Sequence, residues 1–138
     1  MAISTRRGPE QPVEGIDLDL ERNPDAPSVA RAAIVGFCQN RKVPSGAVAI
    51  LMLLVSEIVT NAVIHPDAPR ETSIGFSARI QPNSVRIEVT DQGSGFTPRP
   101  RDPDQLSGGY GLYLLQEQAK RWGLNQQNGT TVWFEVST

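Results

Sequence analysis

The stretch Glu57-Ile-Val-Thr-Asn61 lies near the end of a long apolar segment. The segment predicts a helix over residues 45–64, because its apolar residues recur every three or four positions. These residues are Leu51, Leu54, Val55, Ile58 and Ala62. Glu57 and Asn61 are one helical turn apart and therefore share an edge of this stripe. A carboxylate and a carboxamide thus project from one side of an otherwise dry helix.

Two chemical roles suit this pair of side chains. The carboxamide oxygen of Asn61 is a hard ligand for Mg²⁺, which keeps most of its other positions for water and phosphate oxygens. The carboxylate of Glu57 could take a proton from a nucleophile beside a metal-bound phosphate. Polar pairs at this spacing are also common on solvated helix faces, but Asn is a poor helix-interior residue, which favours a functional reason for it. His65, the only histidine, either contacts a phosphate or caps the helix C-terminus.

Two glycine-rich clusters follow, Asp91-Gln-Gly93-Ser-Gly95 and Gly108-Gly-Tyr-Gly111. A carboxylate at a strand end can accept the exocyclic amine of adenine, and the glycines beside it let the backbone approach a ring closely. Backbone N–H groups at a glycine-rich helix start can bind an anion. Each cluster alone also fits a simpler structure, an Asx turn in the first case and a linker in the second. The intervening loop carries Arg99 and Arg101, which could fold onto a triphosphate or remain solvated.

The rest of the pattern predicts a two-layer arrangement. Alternating apolar residues predict strands around residues 16–20, 74–80, 85–91, 122–124 and 132–136. Helices are predicted over residues 26–41, 45–64 and 111–121. The order of elements is typical of an α+β two-layer sandwich with helices on one face of a mainly antiparallel sheet.

Several local details can be predicted within this arrangement. Asp25 lies near the N-cap of the first helix. The residues predicted to face inward from that helix are Val29, Ala33 and Phe37, with Ala32 and Gly36 beside them. Leu112, Leu115 and Ala119 should share one face of the third helix. Asn128-Gly129 is a two-residue hairpin signal before the last strand.

Bulk composition limits the class of protein. The chain has 138 residues, a formal net charge of -2 and a pI of about 5.4, which argues against direct nucleic-acid binding. Cys38 is the single cysteine, so no disulfide framework is expected. Residues 1–14 are polar and predict a disordered segment, and residues 15–138 predict one domain. The basic start lacks a following apolar stretch, and the apolar run over residues 47–55 is too short for a bilayer. A cytoplasmic protein without a membrane span is therefore expected.

The three motifs resemble the nucleotide-binding boxes of one superfamily. The sequence has no Walker-type loop, no His-Arg-Asp and no Asp-Phe-Gly. Residues 57–65 resemble the N box of the GHKL (Bergerat-fold) ATPases, residues 91–96 the G1 box and residues 108–112 the G2 box. Thr131-Val-Trp133 is similar to their threonine-bearing last strand, so the resemblance covers about residues 15–137.

Within that superfamily, the chain resembles most closely the bacterial anti-sigma-factor serine/threonine kinases. The Asn-Ala-x-x-His pattern, the small size and the short loop between the glycine boxes favour this branch. Histidine kinases usually carry a basic residue where this chain has Ile64, and they also carry a phosphoacceptor helical region. Multi-domain members of the gyrase, chaperone and mismatch-repair types need a second domain, for which these 138 residues leave no room.

This resemblance implies specific roles for named residues. Glu57 would be the general base towards a protein serine, and Asn61 would bind the Mg²⁺ that bridges the ATP phosphates. Asp91 would bind the adenine amino group. Six further positions would bind the nucleotide, with Gly95 and Thr131 near the base and the G2-box residues near the phosphates. These positions are Gly93, Gly95, Gly109, Gly111 with Leu112, and Thr131.

The resemblance implies ATP and Mg²⁺ as cofactors, and a sigma factor and an anti-sigma-factor antagonist as protein partners. A homodimer is possible, because members of the family often dimerise. Two other functions remain open. One is a nucleotide-dependent regulatory binding module without catalysis. The other is a stand-alone ATPase domain of the histidine-kinase type that needs a partner with a phosphoacceptor histidine.

Overall fold

A computed structural model of the protein describes residues 15–64, 72–91, 110–127 and 129–138. The segment 1–14, His65, Asn128 and the loop that joins the two glycine clusters lie outside the described residues. In chain order the elements are β1 (Gly15–Leu20), α1 (Ala26–Gln39), α2 (Ser45–Ile64), β2 (Ile74–Gln81), β3 (Ser84–Asp91), α3 (Tyr110–Gln118), β4 (Arg121–Asn125) and β5 (Thr130–Ser137).

The five strands form one sheet in the order β1-β2-β3-β5-β4. Every described pair of neighbours is antiparallel. The chain leaves β3 at one end of the sheet, forms α3, and returns through the edge strand β4 before β5 inserts beside β3. This crossover brings the end of β3 next to the start of β5, with Asp91 opposite Thr130.

The three described helices cover one face of the sheet, and no described helix covers the other, which is called the open face below. The strand residues that face the helices are apolar and buried, because alternate side chains of a strand point to opposite faces. In β3 and β5 they are Val85, Ile87, Val89, Val132, Phe134 and Val136. The predicted α+β two-layer sandwich is confirmed.

Helix α2 is the centre of the helical layer. It contacts α1, α3 and the strands β2, β3 and β5. Its buried face contains the whole predicted stripe together with Ala47 and Val59. With 20 residues, the helix is long and apolar enough to cross a membrane by length and composition alone. The sequence-based prediction considered only the apolar run over residues 47–55 and did not indicate this. Because the core helix of a compact domain passes the same test, and one face of α2 is buried here, we interpret it as a core helix.

The first helix is rotated relative to the sequence-based prediction. Its buried residues are Ala26, Ala30, Ile34, Phe37 and Cys38. Val29, predicted to face inward, is 50% exposed, and Ala32 and Gly36 are also exposed. Almost every residue of this helix is small or apolar. Two helix faces, displaced from each other by one residue, could therefore pack against the core equally well as judged from the sequence. The face that carries Ile34 is the one that packs against the core.

Two boundaries also differ from the prediction. Helix α3 ends at Gln118, and Arg121, predicted to be helical, begins β4. The strands β4 and β5 are joined by residues 126–129, a four-residue connection and not a two-residue turn. Gly129 has φ 80, a left-handed conformation that glycine adopts without steric cost.

Candidate functional site

A cleft lies between α2, the start of α3 and the ends of β3 and β5. It holds about 450 Å³ of space, part of it open to solvent. Its lining residues are Ile58, Asn61, Ala62, Val89, Asp91, Leu112, Thr130 and Val132. The walls are therefore mainly aliphatic, with one carboxamide, one carboxylate and one hydroxyl between them.

Helix α2 supplies the polar edge of the cleft. Asn61 and Glu57 are both half-buried, one turn apart, beside fully buried neighbours of the core. Asn61 lines the cleft, and Glu57 lies one turn closer to the helix start. The predicted arrangement of a carboxylate and a carboxamide on one helix edge is present. Asn61 gives the cleft a hard oxygen ligand, and the carboxylate of Glu57 lies one turn away on the same rigid helix.

Asp91 is held at the opposite wall. It ends β3 on the same face as Val89, and its side chain is only 10% exposed. Its Oδ1 accepts a hydrogen bond of 2.6 Å from Nη2 of Arg22. A buried carboxylate requires such a partner, because an isolated charge is costly to remove from water. Sequence reasoning missed Arg22, whose only signal is a charged residue two positions after a strand with one apolar face.

The threonine that lines the cleft in the described part of the chain is Thr130, whereas the sequence resemblance implied a role for Thr131. Thr131 lies on the open face of the sheet, where its Oγ1 is 2.8 Å from Oγ1 of Thr90. Thr130, opposite Asp91, faces the cleft, and its buried Oγ1 has no hydrogen-bond partner among the described residues. The alternation of side chains along β5 is the reason, because neighbouring threonines must point to opposite faces. A buried hydroxyl without a partner at the wall of a cleft is suited to a bound polar group.

The glycine clusters are only partly placed. Gly93, Gly95 and Gly109 lie outside the described residues, as do Arg99 and Arg101. Gly111 and Leu112 belong to the first turn of α3, and Leu112 lines the cleft. The first N–H groups of a helix have no partners within it and favour an anion nearby. The start of α3 therefore lies on the side of the cleft where phosphates would be expected.

The donor set at the cleft fits a nucleotide-bound Mg²⁺ better than a protein-bound metal. Within the described ranges, no group of three or more His, Cys, Asp and Glu side chains could hold a metal ion. Mg²⁺ usually takes few protein ligands and binds through substrate phosphates and water. The single carboxamide of Asn61 is sufficient for that mode of binding, provided that the phosphates come with the ligand.

The chain is similar to known proteins in sequence and in fold. Residues 20–136 match the family described as "Histidine kinase-like ATPase domain". The serine-protein kinase RsbW of Oceanobacillus iheyensis is 26% identical over 132 residues, with 85% of this chain and 82% of that protein covered. The crystal structure of the RsbU and RsbW domains of Rv1364c from Mycobacterium tuberculosis superposes with a TM-score of 0.71 at 20% identity, over 92% of this chain.

The chain spans only 34% of that solved protein, and the structural likeness shows the fold alone. The match to the family covers most of the chain, from the last residue of β1 to within two residues of the C-terminus. This chain is therefore a member of the histidine kinase-like ATPase domain family.

Proposed function

We propose that this protein is a GHKL-type protein serine/threonine kinase of the cytoplasm that regulates transcription. It binds ATP with Mg²⁺, phosphorylates an anti-sigma-factor antagonist and sequesters a sigma factor. The observation that carries the proposal is that Asn61, Asp91 and Thr130 line one cleft, with Glu57 one turn from Asn61. The relative named as a serine-protein kinase supports the choice of serine as the acceptor.

The cleft suits an adenine base. The side chains of Ile58, Val89 and Val132 provide apolar walls for the faces of the ring. Asp91 can accept a hydrogen bond from the exocyclic amine, and the hydroxyl of Thr130 can donate to or accept from the ring edge. Binding would give the Thr130 hydroxyl the partner that it lacks among the described residues.

The phosphates would extend towards Asn61 and the start of α3. Asn61 would hold the Mg²⁺, which neutralises charge on the phosphates when it is bound. Backbone N–H groups of the first turn of α3 would donate to the phosphate oxygens. Gly93, Gly95 and Gly109 are proposed to contribute backbone contacts in the same way.

Glu57 is the proposed general base. In the transfer, the serine Oγ of the antagonist forms a bond to the terminal phosphorus, and the bond from that phosphorus to the ADP oxygen breaks. The hydroxyl proton passes to the carboxylate of Glu57. Positioning and neutralisation of charge contribute most to phosphoryl transfer, so one base and a few donors are enough.

The test is transfer from labelled ATP and Mg²⁺ to candidate antagonist proteins from the same organism. Glu57→Gln should lower the rate of phosphoserine formation by about 10²-fold or more. The Kd for ATP should stay within about threefold of the wild-type value, since the proposed partner of Glu57 is the serine nucleophile and not the adenine ring. Glu88→Gln is the matched control, because Glu88 lies on the open face of the sheet and pairs with Arg86; its transfer rate should equal that of the wild type.

Three results would contradict the proposal in distinguishable ways. Wild-type transfer by Glu57→Gln would remove Glu57 as the base. Tight ATP binding without transfer to any antagonist would favour the regulatory binding module. Acid-labile phosphate on the product, typical of phosphohistidine, would favour a stand-alone domain of the histidine-kinase type.

A further inference from the structure

Arg22 is a buried cation that joins the two walls of the cleft. Its side chain is only 5% exposed. It lies two residues after the end of β1, and its guanidinium donates to three acceptors on three other segments of the chain. These are the carbonyl oxygen of Ala62, Oγ1 of Thr72 at 3.1 Å and Oδ1 of Asp91 at 2.6 Å.

The contact with α2 fixes one wall. Ala62 follows Asn61 and lies in the last turn of the helix, where carbonyl groups have no partner within the helix. A cation at a helix C-terminus also interacts favourably with the helix dipole. Arg22 therefore stabilises the end of α2 that presents Asn61 to the cleft.

The contact with β3 fixes the other wall. Asp91 is the only carboxylate among the described residues that line the cleft. The planar fork of a guanidinium imposes direction on the oxygens that it binds, which a lysine does not do. By binding Oδ1 and a carbonyl of α2 together, Arg22 determines how the carboxylate is presented to a ligand.

This presentation bears on the choice of purine. A carboxylate accepts hydrogen bonds and does not donate them. It attracts the exocyclic amine of adenine and repels the carbonyl oxygen that guanine carries at the same position. If its guanidinium partner were removed, the buried carboxylate would lose its fixed direction and turn towards solvent, because an unpaired charge is costly to bury. This change would weaken the contact with an amine more than the contact with a carbonyl.

We propose that Arg22 is a positioning residue that makes the cleft selective for an amino-substituted purine nucleotide over a keto-substituted one. The inference rests on the proposed function, because it assumes that Asp91 faces the base of a bound nucleotide. Arg22 does not touch the nucleotide and acts through Asp91.

The experiment measures the Kd of the full chain for ATP and GTP, each with Mg²⁺. Arg22→Met keeps the aliphatic stem and should weaken ATP binding about tenfold or more while changing GTP binding less than about threefold. Arg22→Lys should recover part of the selectivity, because it restores the charge without the fork. Arg79→Met is the matched control: Arg79 binds both oxygens of Asp17 at 2.8 Å on the other side of the sheet. The Arg79→Met variant should keep the wild-type ratio of ATP to GTP affinity.

A double-mutant cycle with Asp91→Asn tests the route of the effect. If Arg22 acts through Asp91, Arg22→Met should have less than about a twofold effect on ATP affinity in the Asp91→Asn background. Where Arg22→Met does not fold, Arg22→Lys takes its place in the cycle, because it keeps a buried charge beside Asp91.

The possible results separate this inference from the proposed function. An unchanged ratio of ATP to GTP affinity in Arg22→Met, or tighter ATP binding by that variant, would overturn the positioning role. Neither result would contradict the proposal that the wild-type protein binds ATP. Tighter ATP binding in Arg22→Met would mean that Arg22 competes with the adenine ring for the carboxylate of Asp91. Failure of the wild-type protein to bind ATP at millimolar concentration would overturn the proposed function, and with it this inference.

Discussion

At the scale of single residues, Thr130 allows ligand binding to be separated from stability. Its buried hydroxyl has no partner among the described residues, so Thr130→Val removes no hydrogen bond of the protein there. The free energy of unfolding should therefore change by less than about 1 kcal/mol, and an increase is as acceptable as a decrease. ATP affinity should fall about 2- to 10-fold, the value of one neutral hydrogen bond. Thermal unfolding and calorimetric titration measure the two effects.

Thr131→Val is the matched control for this exchange, and the opposite pattern is expected. It breaks the hydrogen bond to Thr90 on the open face and should lower stability by about 1 kcal/mol without affecting ATP affinity. If Thr131→Val weakened ATP binding and Thr130→Val did not, the assignment of faces along β5 would be wrong.

The same pair shows what sequence reasoning can and cannot predict at a site. The strand and its threonines are predictable from the alternation of Val132, Phe134 and Val136. That alternation also assigns Thr130 to the buried face, so this residue could have been found by extending the pattern backwards. Arg22 could not be found in this way, because its partners lie 40, 50 and 69 positions away in the sequence. Only the folded arrangement of β1, α2 and β3 brings them together.

At the scale of elements, predictability follows the contrast between the faces of a helix. In α2 large aliphatic residues form the stripe, and the polar residues Glu57 and Asn61 mark its edge, so the buried face was predicted correctly. In α1 small residues surround the axis, and the predicted face was displaced by about one residue. Without a contrast between an apolar and a polar face, the sequence does not indicate which face of α1 is buried. The helix itself and its start at Ala26 were nevertheless predicted.

Two neighbouring leucines of α2 test the assignment of its faces. Leu54 is fully buried, whereas Leu53 is 42% exposed. Leu54→Ala should lower the free energy of unfolding by about 2–5 kcal/mol, because it removes aliphatic contacts and leaves a cavity. Leu53→Ala should cost less than about 1 kcal/mol. The change in helix propensity is the same in both variants, so denaturant unfolding reports the difference in burial. An equal cost for the two would mean that the face carrying Leu53 is covered in solution.

At the scale of the whole molecule, one buried carboxylate on the open face of the sheet connects three strands through ion pairs. Glu135 of β5 is 2% exposed and accepts hydrogen bonds from two arginines on the neighbouring strands. Arg121 of β4 donates from Nε at 3.0 Å and from Nη2 at 2.9 Å, and Arg86 of β3 donates from Nη1 at 3.1 Å. Arg86 also lies over the ring of Trp133, 4.2 Å from its centroid. The cluster therefore links β3 to the two strands that follow the crossover.

This cluster makes the stability of the fold dependent on pH. Hydrogen bonds from Arg121, and then from Arg86, lower the pKa of Glu135, although burial alone would raise it. A carboxyl with a lowered pKa in the folded state contributes stability that is complete above its unfolded pKa, about 4.3. The contribution is lost as the pH falls through the lower pKa of the folded state. Glu135→Gln should therefore lower the free energy of unfolding by about 1–3 kcal/mol at neutral pH.

The difference between wild type and Glu135→Gln should shrink as the pH falls below about 4, because the wild-type carboxyl then becomes neutral as well. Denaturant unfolding of both proteins between pH 7 and pH 3 measures it. Glu88→Gln is the matched control, since Glu88 pairs with the same Arg86 but its side chain is 42% exposed, and exposed pairs contribute little. A difference for Glu135→Gln that stayed constant with pH would show that the glutamate acts by packing and not by charge, because packing contacts do not titrate.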